Sequence, residues 1–322
     1  MVPGDLRVAV LYSPAARELL EKDARAQEHT DNMVNAVIRV LRHRGYPADM
    51  VPSTPEGFDT LARGAFDVVF NLATGMRSKK EQANIVAILE LLGIPFTGPG
   101  LAAHIVCLHK HITKRVLASC GVPTSPFRVY HTPDGVGTDL PDLPAIVKPA
   151  NEGSSAGIGP GSIAGTRAEV IELVDRITKE FSQPALVESF LPGREFTLAV
   201  LGNKEPLVLA PEEIVFDERA PGFYTHEVKV RDQVTPVCPA NVDPDLARAL
   251  ETAARDAYLA AGCRGYARVD IRLDASGKPN VLEINSLPGL EPGYSEFPRI
   301  AAACGLAYED LIVRILEYAI EA

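Results

Sequence analysis

The sequence predicts an α/β protein of two or three domains, and three observations carry that prediction. Between residues 6 and 92, apolar strand-like runs alternate with helical periods, the pattern of a parallel sheet with crossover helices. Near the C-terminus, two apolar-alternating runs flank Ser276-Gly277, the signal of an antiparallel hairpin. The chain has 322 residues, 46% hydrophobic and 23% charged, enough to bury more than one core.

Residues 6–12 are a buried first strand. Thr30-Asp31-Asn32 is expected to cap a helix with Met33, Val37, Val40 and Leu41 inward, stopped by Gly45. Residues 67–72 give a second strand, and residues 81–92 a helix with Ile85, Ile88, Leu89 and Leu92 inward. The turn at Thr97-Gly98-Pro99-Gly100 closes a first domain over residues 1–98. A second domain, residues 99–192, has a helix from His109-Lys110 to Cys120, a strand at 144–149, an amphipathic helix at 167–181 and a strand at 185–191. The third, residues 193–322, continues as strand from Leu198 to Gly202 and carries a helix started by Asp243-Pro244 and a last helix from Glu309 through Ala319. Tyr258, Tyr266 and Phe297 read as core. Residues 216–233 have no period, and a loop that long is a functional lid or disordered.

The chemistry gathers on the hairpin. A two-residue turn at Ser276-Gly277 pairs residues whose numbers sum to 553, setting Asp270 opposite Glu283 and Arg268 opposite Asn285. Those four project from one face, and Val269, Ile271, Leu282 and Ile284 from the other. Facing carboxylates repel. Two readings stand: a hard cation such as Mg2+ between them, or a plain surface hairpin with an Arg268–Glu283 ion pair. Upstream, Lys148 precedes the small-residue run Glu152-Gly153-Ser154-Ser155-Ala156-Gly157, which is a loop closing over an anion or a mobile connector. Glu195 follows a chain break where backbone groups can bond a base, and reads as a ribose ligand or a solvated carboxylate. His226, three residues before Lys229, meets substrate or solvent.

Several classes are excluded. A formal net charge of -10 lacks the basic footprint that nucleic acid requires. Cys107, Cys120, Cys238, Cys263 and Cys304 form no CxxC pair, so no zinc site or disulfide framework is implied, and a reducing cytoplasm fits. No apolar stretch is long enough to span a bilayer and no signal peptide is seen, so no membrane partner is expected. No GxGxxG follows the first strand and no P-loop spacing surrounds Lys148.

Lys148-Pro149 with Glu152-Gly153-Ser154-Ser155, Glu188 with Gly193-Arg194-Glu195-Phe196-Thr197, the loop ending in Lys229, Cys238-Pro239-Ala240, Arg268-Val269-Asp270, and Leu282-Glu283-Ile284-Asn285 through Pro288-Gly289 follow one another in order. That series resembles the ATP-grasp ligases, and among them the D-alanine:D-alanine ligases and their relatives, strongly from about residue 93 onward. The resemblance implies a three-domain ATP-grasp fold: an N-terminal parallel α/β domain and two subdomains gripping ATP. It implies that Lys110 and Lys148 hold phosphates under the loop of Glu152, Gly153, Ser154, Ser155 and Gly157, with Ser154 also catalytic. Glu188, Phe190 and Leu191 would line the adenine pocket, with Glu195 on the ribose. Asp270, Glu283 and Asn285 would bind two Mg2+ ions, for which Mn2+ can stand in. Lys229 would reach the transferred phosphoryl group, and Arg268 and the Gly289 amide the oxyanion. A homodimer is implied as well. The chemistry is attack of a carboxylate on ATP, an acyl phosphate, then attack by an amine to leave an amide.

Departures from the family pattern fall at the substrate end. The strand of residues 6–12 runs into Ser13-Pro14 without the family's glycine pair, so Glu18 is a candidate for the substrate ammonium or part of a plain helix. Asn71 to Gly75 replace a His-Gly, and Val230 replaces the tyrosine after the loop lysine. The stretch after Gly289 is one residue longer, which makes Tyr294 and Ser295 substrate candidates in an altered arrangement. The expectation is a ligase for amino-acid-like substrates other than two D-alanines. A cell-wall D-alanine:D-alanine ligase is the alternative, and a noncatalytic ATP-binding regulator a third, against which stands the full set of Lys110, Lys148, Lys229, Arg268, Asp270, Glu283 and Asn285.

Overall fold

The structure is a computed structural model describing residues 3–14, 24–76, 81–151, 157–218, 220–225, 227–228, 231 and 233–321. Its first sheet is parallel, with β1 (Val8–Tyr12) between β2 (Ala48–Pro52) and β3 (Val68–Asn71). Val8, Ala9, Val10 and Leu11 are all buried, because helices cover both faces of such a sheet. Helix α1 (Ala24–His43) starts upstream of Thr30-Asp31-Asn32 and runs through it, so that triplet is not the expected cap. Asp31 and Asn32 face outward, where polar side chains tolerate the middle of a helix, and Gln27 donates to Asp31 at 2.6 Å one turn apart. Helix α2 (Pro55–Ala62) carries the cap signals instead: Thr54 Oγ1 accepts from the Gly57 amide at 3.2 Å and Pro55 occupies the first turn. Helix α3 (Gln82–Leu92) ends at Gly93 in the left-handed region, as expected.

Helices α4 (Leu101–Leu108) and α5 (Lys110–Ser119) lead into an antiparallel sheet ordered β4-β7-β5-β6. Its strands are β4 (Phe127–Tyr130), β5 (Ala145–Pro149), β6 (Ile163–Ala164) and β7 (Ala185–Ser189). Helix α6 (Arg167–Phe181) covers it through Val170, Val174 and Ile177, held at its start by a Thr166–Glu169 capping box.

The third sheet runs β11-β10-β8-β12-β13, with β9 (Leu207–Val208) beside β8. It comprises β8 (Glu195–Leu201), β10 (Glu212–Phe216), β11 (Val234–Val237), β12 (Tyr266–Leu273) and β13 (Pro279–Asn285). Helix α7 (Pro244–Ala260) packs on it with Leu250 and Tyr258 fully buried, its N-terminus capped by Asp243. After α8 (Glu296–Ala303), helix α9 (Tyr308–Ile320) returns to the first sheet. Leu311, Ile312, Ile315 and Leu316 share one core with Val37, Leu41 and Phe70. Chain end and chain start therefore form one hydrophobic unit.

The hairpin gives the expected pairs by an unexpected route. Asp270 does face Glu283 and Arg268 does face Asn285. The turn, however, is longer than two residues: Asp274 N donates to Lys278 O at 2.9 Å, and Asp274 Oδ1 accepts from the Ser276 and Lys278 amides. That shifts the lower register, so Ile271 pairs with Val281, and a bulge at Leu282 restores the upper pairing. Val281 rather than Leu282 thus enters the core with Val269, Ile271 and Ile284. Leu282 is displaced from the apolar face because the bulge inserts one residue into the alternation.

Candidate active site

Helix α5 places two lysines one turn apart, and each meets a carboxylate from a different sheet. Lys110 forms an ion pair with Glu283 of β13. Burial opposes the Lys110 charge most strongly of any single cause, but Glu283, with Glu188 and Asp270 adding to it, raises the ammonium above its ordinary value. Lys110 in turn holds the Glu283 carboxyl down at about 2 against its desolvation. The alternative Arg268–Glu283 pair is absent; Arg268 forks onto Asp270 with Nε–Oδ1 and Nη2–Oδ2 both at 2.9 Å, and reaches Glu296 at 3.2 Å.

Lys114, which sequence reasoning passed over, is fully buried. Its Nζ lies 2.8 Å from Glu188 Oε2 and donates to Thr124 Oγ1 at 2.6 Å and Ser125 Oγ at 3.0 Å. Lys148 of β5 pairs with the other Glu188 oxygen. Burial alone would push the Glu188 carboxyl up; the two lysines hold it down at about 2. Thr124 Oγ1 also donates to Val281 O at 2.8 Å, which ties this network to the hairpin.

Beyond β7, the amides of Ser189, Phe190 and Gly193 are taken by Pro126 O, Pro144 O and Leu273 O. Pro192 has no N–H, so the backbone donor of this stretch without a partner among the described residues is that of Leu191. Phe190 is half-buried and Leu191 buried. Glu195 begins β8 and lies 2.8 Å from Arg272 Nη1. Burial pushes its carboxyl up to about 7 despite Arg272, with Asp270 adding to the rise. Arg272 was the second omission, although it sits two residues beyond Asp270 on the same strand face and period-two spacing would have found it.

Asp270 also accepts from Thr197 Oγ1 at 2.6 Å and from Asn285 Nδ2 at 2.8 Å. Two carboxylates and a side-chain amide on one face are the oxygen-rich set that suits a hard divalent ion. Among the described residues no group of three His, Cys, Asp or Glu is assembled for a metal, so such an ion would rely on Asn285 and on ligand oxygens.

Past Asn285, Ser286 Oγ bonds His104 Nδ1 at 2.9 Å, and burial drives that imidazole down to about 4, so it is neutral. A Cβ at Gly289 would sit 2.6 Å from Ser295 Oγ, so glycine is needed for the turn to close. Ser295 is buried and its Oγ accepts from the Glu291 amide at 3.2 Å, which commits it to the turn. Tyr294 is exposed and stacks on His29 at 3.7 Å. Glu291, a third omission, accepts from Asn32 Nδ2 at 2.9 Å and lies 2.6 Å from His29 Nδ1, both on α1. Gly157 has φ +75°, and a Cβ there would meet Pro149 and Phe181. Glu18, Glu152, Gly153, Ser154, Ser155, His226 and Lys229 lie outside the described residues.

A network of paired lysines, arginines and carboxylates bridging two antiparallel sheets, beside a parallel α/β unit, defines an ATP-grasp fold. A solved structure agrees in fold: the crystal structure of the D-alanine–D-alanine ligase from Bacillus anthracis complexed with ATP superimposes with a TM-score of 0.74 at 21% identity, covering 98% of each chain. In sequence, residues 117–317 match the family model described as D-ala D-ala ligase C-terminus. A D-alanine–D-alanine ligase from Cupriavidus necator is 33% identical over 285 residues, 88% of this chain and 84% of that one. An uncharacterized protein of Sinorhizobium fredii is 37% identical over 266 residues, 81% and 76% of the two chains. The chain belongs to the D-alanine–D-alanine ligase family and is an ADP-forming ATP-grasp carboxylate–amine ligase.

Proposed function

We propose that the enzyme joins an amino-acid-like carboxylate to an amine through an acyl phosphate, with substrates other than two D-alanines. The observation that carries the ligase chemistry is the convergence of Lys110, Lys148 and Arg268 on the Glu283, Glu188 and Asp270 carboxylates at one cleft. Lys110 and Lys148 exchange their carboxylate partners for ATP phosphates, and the Leu191 amide meets the base above Phe190. Asp270, Glu283 and Asn285 hold Mg2+, which offsets the charge on the phosphoryl oxygens when bound. Arg268, fixed by Asp270 and Glu296, and the Gly289 amide face the oxyanion formed as the amine attacks. A preorganised donor of that kind contributes about 3 kcal/mol to the barrier. Ser154 and Lys229 complete the set at the transferred phosphoryl group, under the loop that includes Glu152, Gly153 and Ser155. The proposal includes domains over residues 1–98, 99–192 and 193–322, a homodimer, and a cytoplasmic location, the last supported by the five free cysteines.

Substrate choice rests on Glu291. A carboxylate two residues beyond Gly289, bonded to His29 and Asn32 of α1, gives this end of the site a charge of its own. Glu18, His226 and Tyr294 complete the candidate substrate contacts, and Ser295, held in the turn, shapes that end of the site. A second reading, D-alanine:D-alanine ligase, is favoured by the name carried by the Cupriavidus necator relative. Phosphate release with ATP and Mg2+ across D- and L-amino acids, alone and paired, separates the two, with mass spectrometry of products and Glu283→Ala as control. A product from a pair other than D-alanine supports the first reading; product from D-alanine alone refutes it.

A further inference from the structure

Arg272 is a buried charge where an apolar side chain would pack. It is 6% exposed, and its guanidinium lies 5.3 Å from the Phe190 ring centroid and 5.9 Å from that of Phe216. Nη1 bonds Glu195 Oε2 at 2.8 Å and Nη2 donates to Gly222 O at 2.6 Å, while the buried Nε has no partner among the described residues. Phe223, next to Gly222, meets Phe190 edge-on at 5.7 Å, and Tyr224 meets Phe216 in the same way at 5.4 Å. One side chain thus joins the stretch that would hold the base, the carboxylate that would hold the ribose, and the Gly222–Tyr224 segment between β10 and β11. Stability does not account for it, because replacing a buried ion pair by well-packed apolar groups is often neutral or favourable.

We propose that Arg272 is a positioning residue for the nucleotide: it fixes the Glu195 carboxylate for the ribose hydroxyls and seats Gly222–Tyr224 against Phe190. This rests on the nucleotide reading of the cleft. Fork geometry explains why arginine fits. Two parallel donors reach Glu195 and the Gly222 carbonyl at once from a plane that also stacks on aromatic rings, whereas a lysine offers a point charge.

The test is calorimetric binding of ADP, 2′-deoxy-ADP and 3′-deoxy-ADP to the wild type, Arg272→Met, Arg272→Lys and Glu195→Gln, with no turnover needed. The wild type is expected to favour ADP over at least one deoxy form by about tenfold, the size of a lost hydrogen bond to a charged group. Arg272→Met and Glu195→Gln are each expected to abolish that preference, and the double variant to be no worse than either alone. Arg272→Lys, which keeps a charge near Glu195, is expected to restore part of it. A purely structural arginine would weaken ADP and its deoxy forms equally, and that result overturns the proposal. So does a folded Arg272→Lys or Arg272→Met protein with the wild-type preference, or a wild type that binds ADP without preference. A wild type that binds no ADP sinks the nucleotide reading itself, and this proposal with it.

Discussion

Lys114→Met tests whether the buried charges beneath the cleft are held in the way the geometry implies. Lys114 and Glu188 are both shielded from solvent, and the ammonium has three oxygen partners at 2.6 to 3.0 Å. Methionine nearly matches the volume, so the cavity cost is small. The main cost is a carboxylate left with Lys148 as its one cationic partner. Breaking a buried pair by deleting one member costs about 3–5 kcal/mol, and the remaining lysine points to about 3. At roughly 2–4 °C per kcal/mol for domains of 150–250 residues, melting should fall by about 6–12 °C. Adding Glu188→Gln to Lys114→Met should recover most of that loss, because the orphaned charge is its source. The sign with pH follows: Glu188 falls from an ordinary 4.5 to about 2, so its contribution is present above 4.5 and lost as pH drops toward 2. Thermal and urea unfolding provide the readouts. A Lys114→Met protein within about 1 kcal/mol of wild type, or a double variant whose losses add, refutes the reasoning.

Three further outcomes are expected. Gly289→Ala should lower kcat by at least about tenfold with little change in nucleotide affinity, since the new methyl meets Ser295 Oγ at 2.6 Å and moves the turn that carries the amide; single-turnover kinetics check this. Because burial pushes Glu195 up to about 7, ADP affinity should fall as pH drops below 7 and the ribose acceptor is protonated, and Glu195→Gln should flatten the profile. Arg268→Lys should cost about 2–4 kcal/mol in kcat/KM, because a point charge cannot fork onto both Asp270 oxygens at 2.9 Å and still reach Glu296, and steady-state kinetics measure it.

The sequence carried the elements whose signals are local. The strand of residues 8–12, the capping of α7 by Asp243 and the glycine stop of α3 all depend on neighbours in the chain. The facing Asp270 and Glu283 were legible because side-chain alternation is local too, although the bulge that preserves the pairing was not: a longer turn and an inserted Leu282 cancel in the register. Lys114 and Arg272 were missed for a different reason. Their roles come from partners 74 and 77 positions apart, respectively Glu188 and Glu195; the period-two spacing from Asp270 marks the face of Arg272 but not its burial, and nothing near Lys114 in sequence marks a buried charge. Glu291 likewise takes its meaning from His29 and Asn32, which reach it only because α9 and α1 share a core.

The most direct test of the central claim uses the acid identified in the substrate panel, labelled with 18O in its carboxylate, with ATP, Mg2+ and the paired amine. An acyl phosphate requires one labelled oxygen to pass into the inorganic phosphate, with ADP as the nucleotide product. Phosphate carrying one 18O per amide formed is the predicted result. Unlabelled phosphate, or AMP with pyrophosphate, would contradict it.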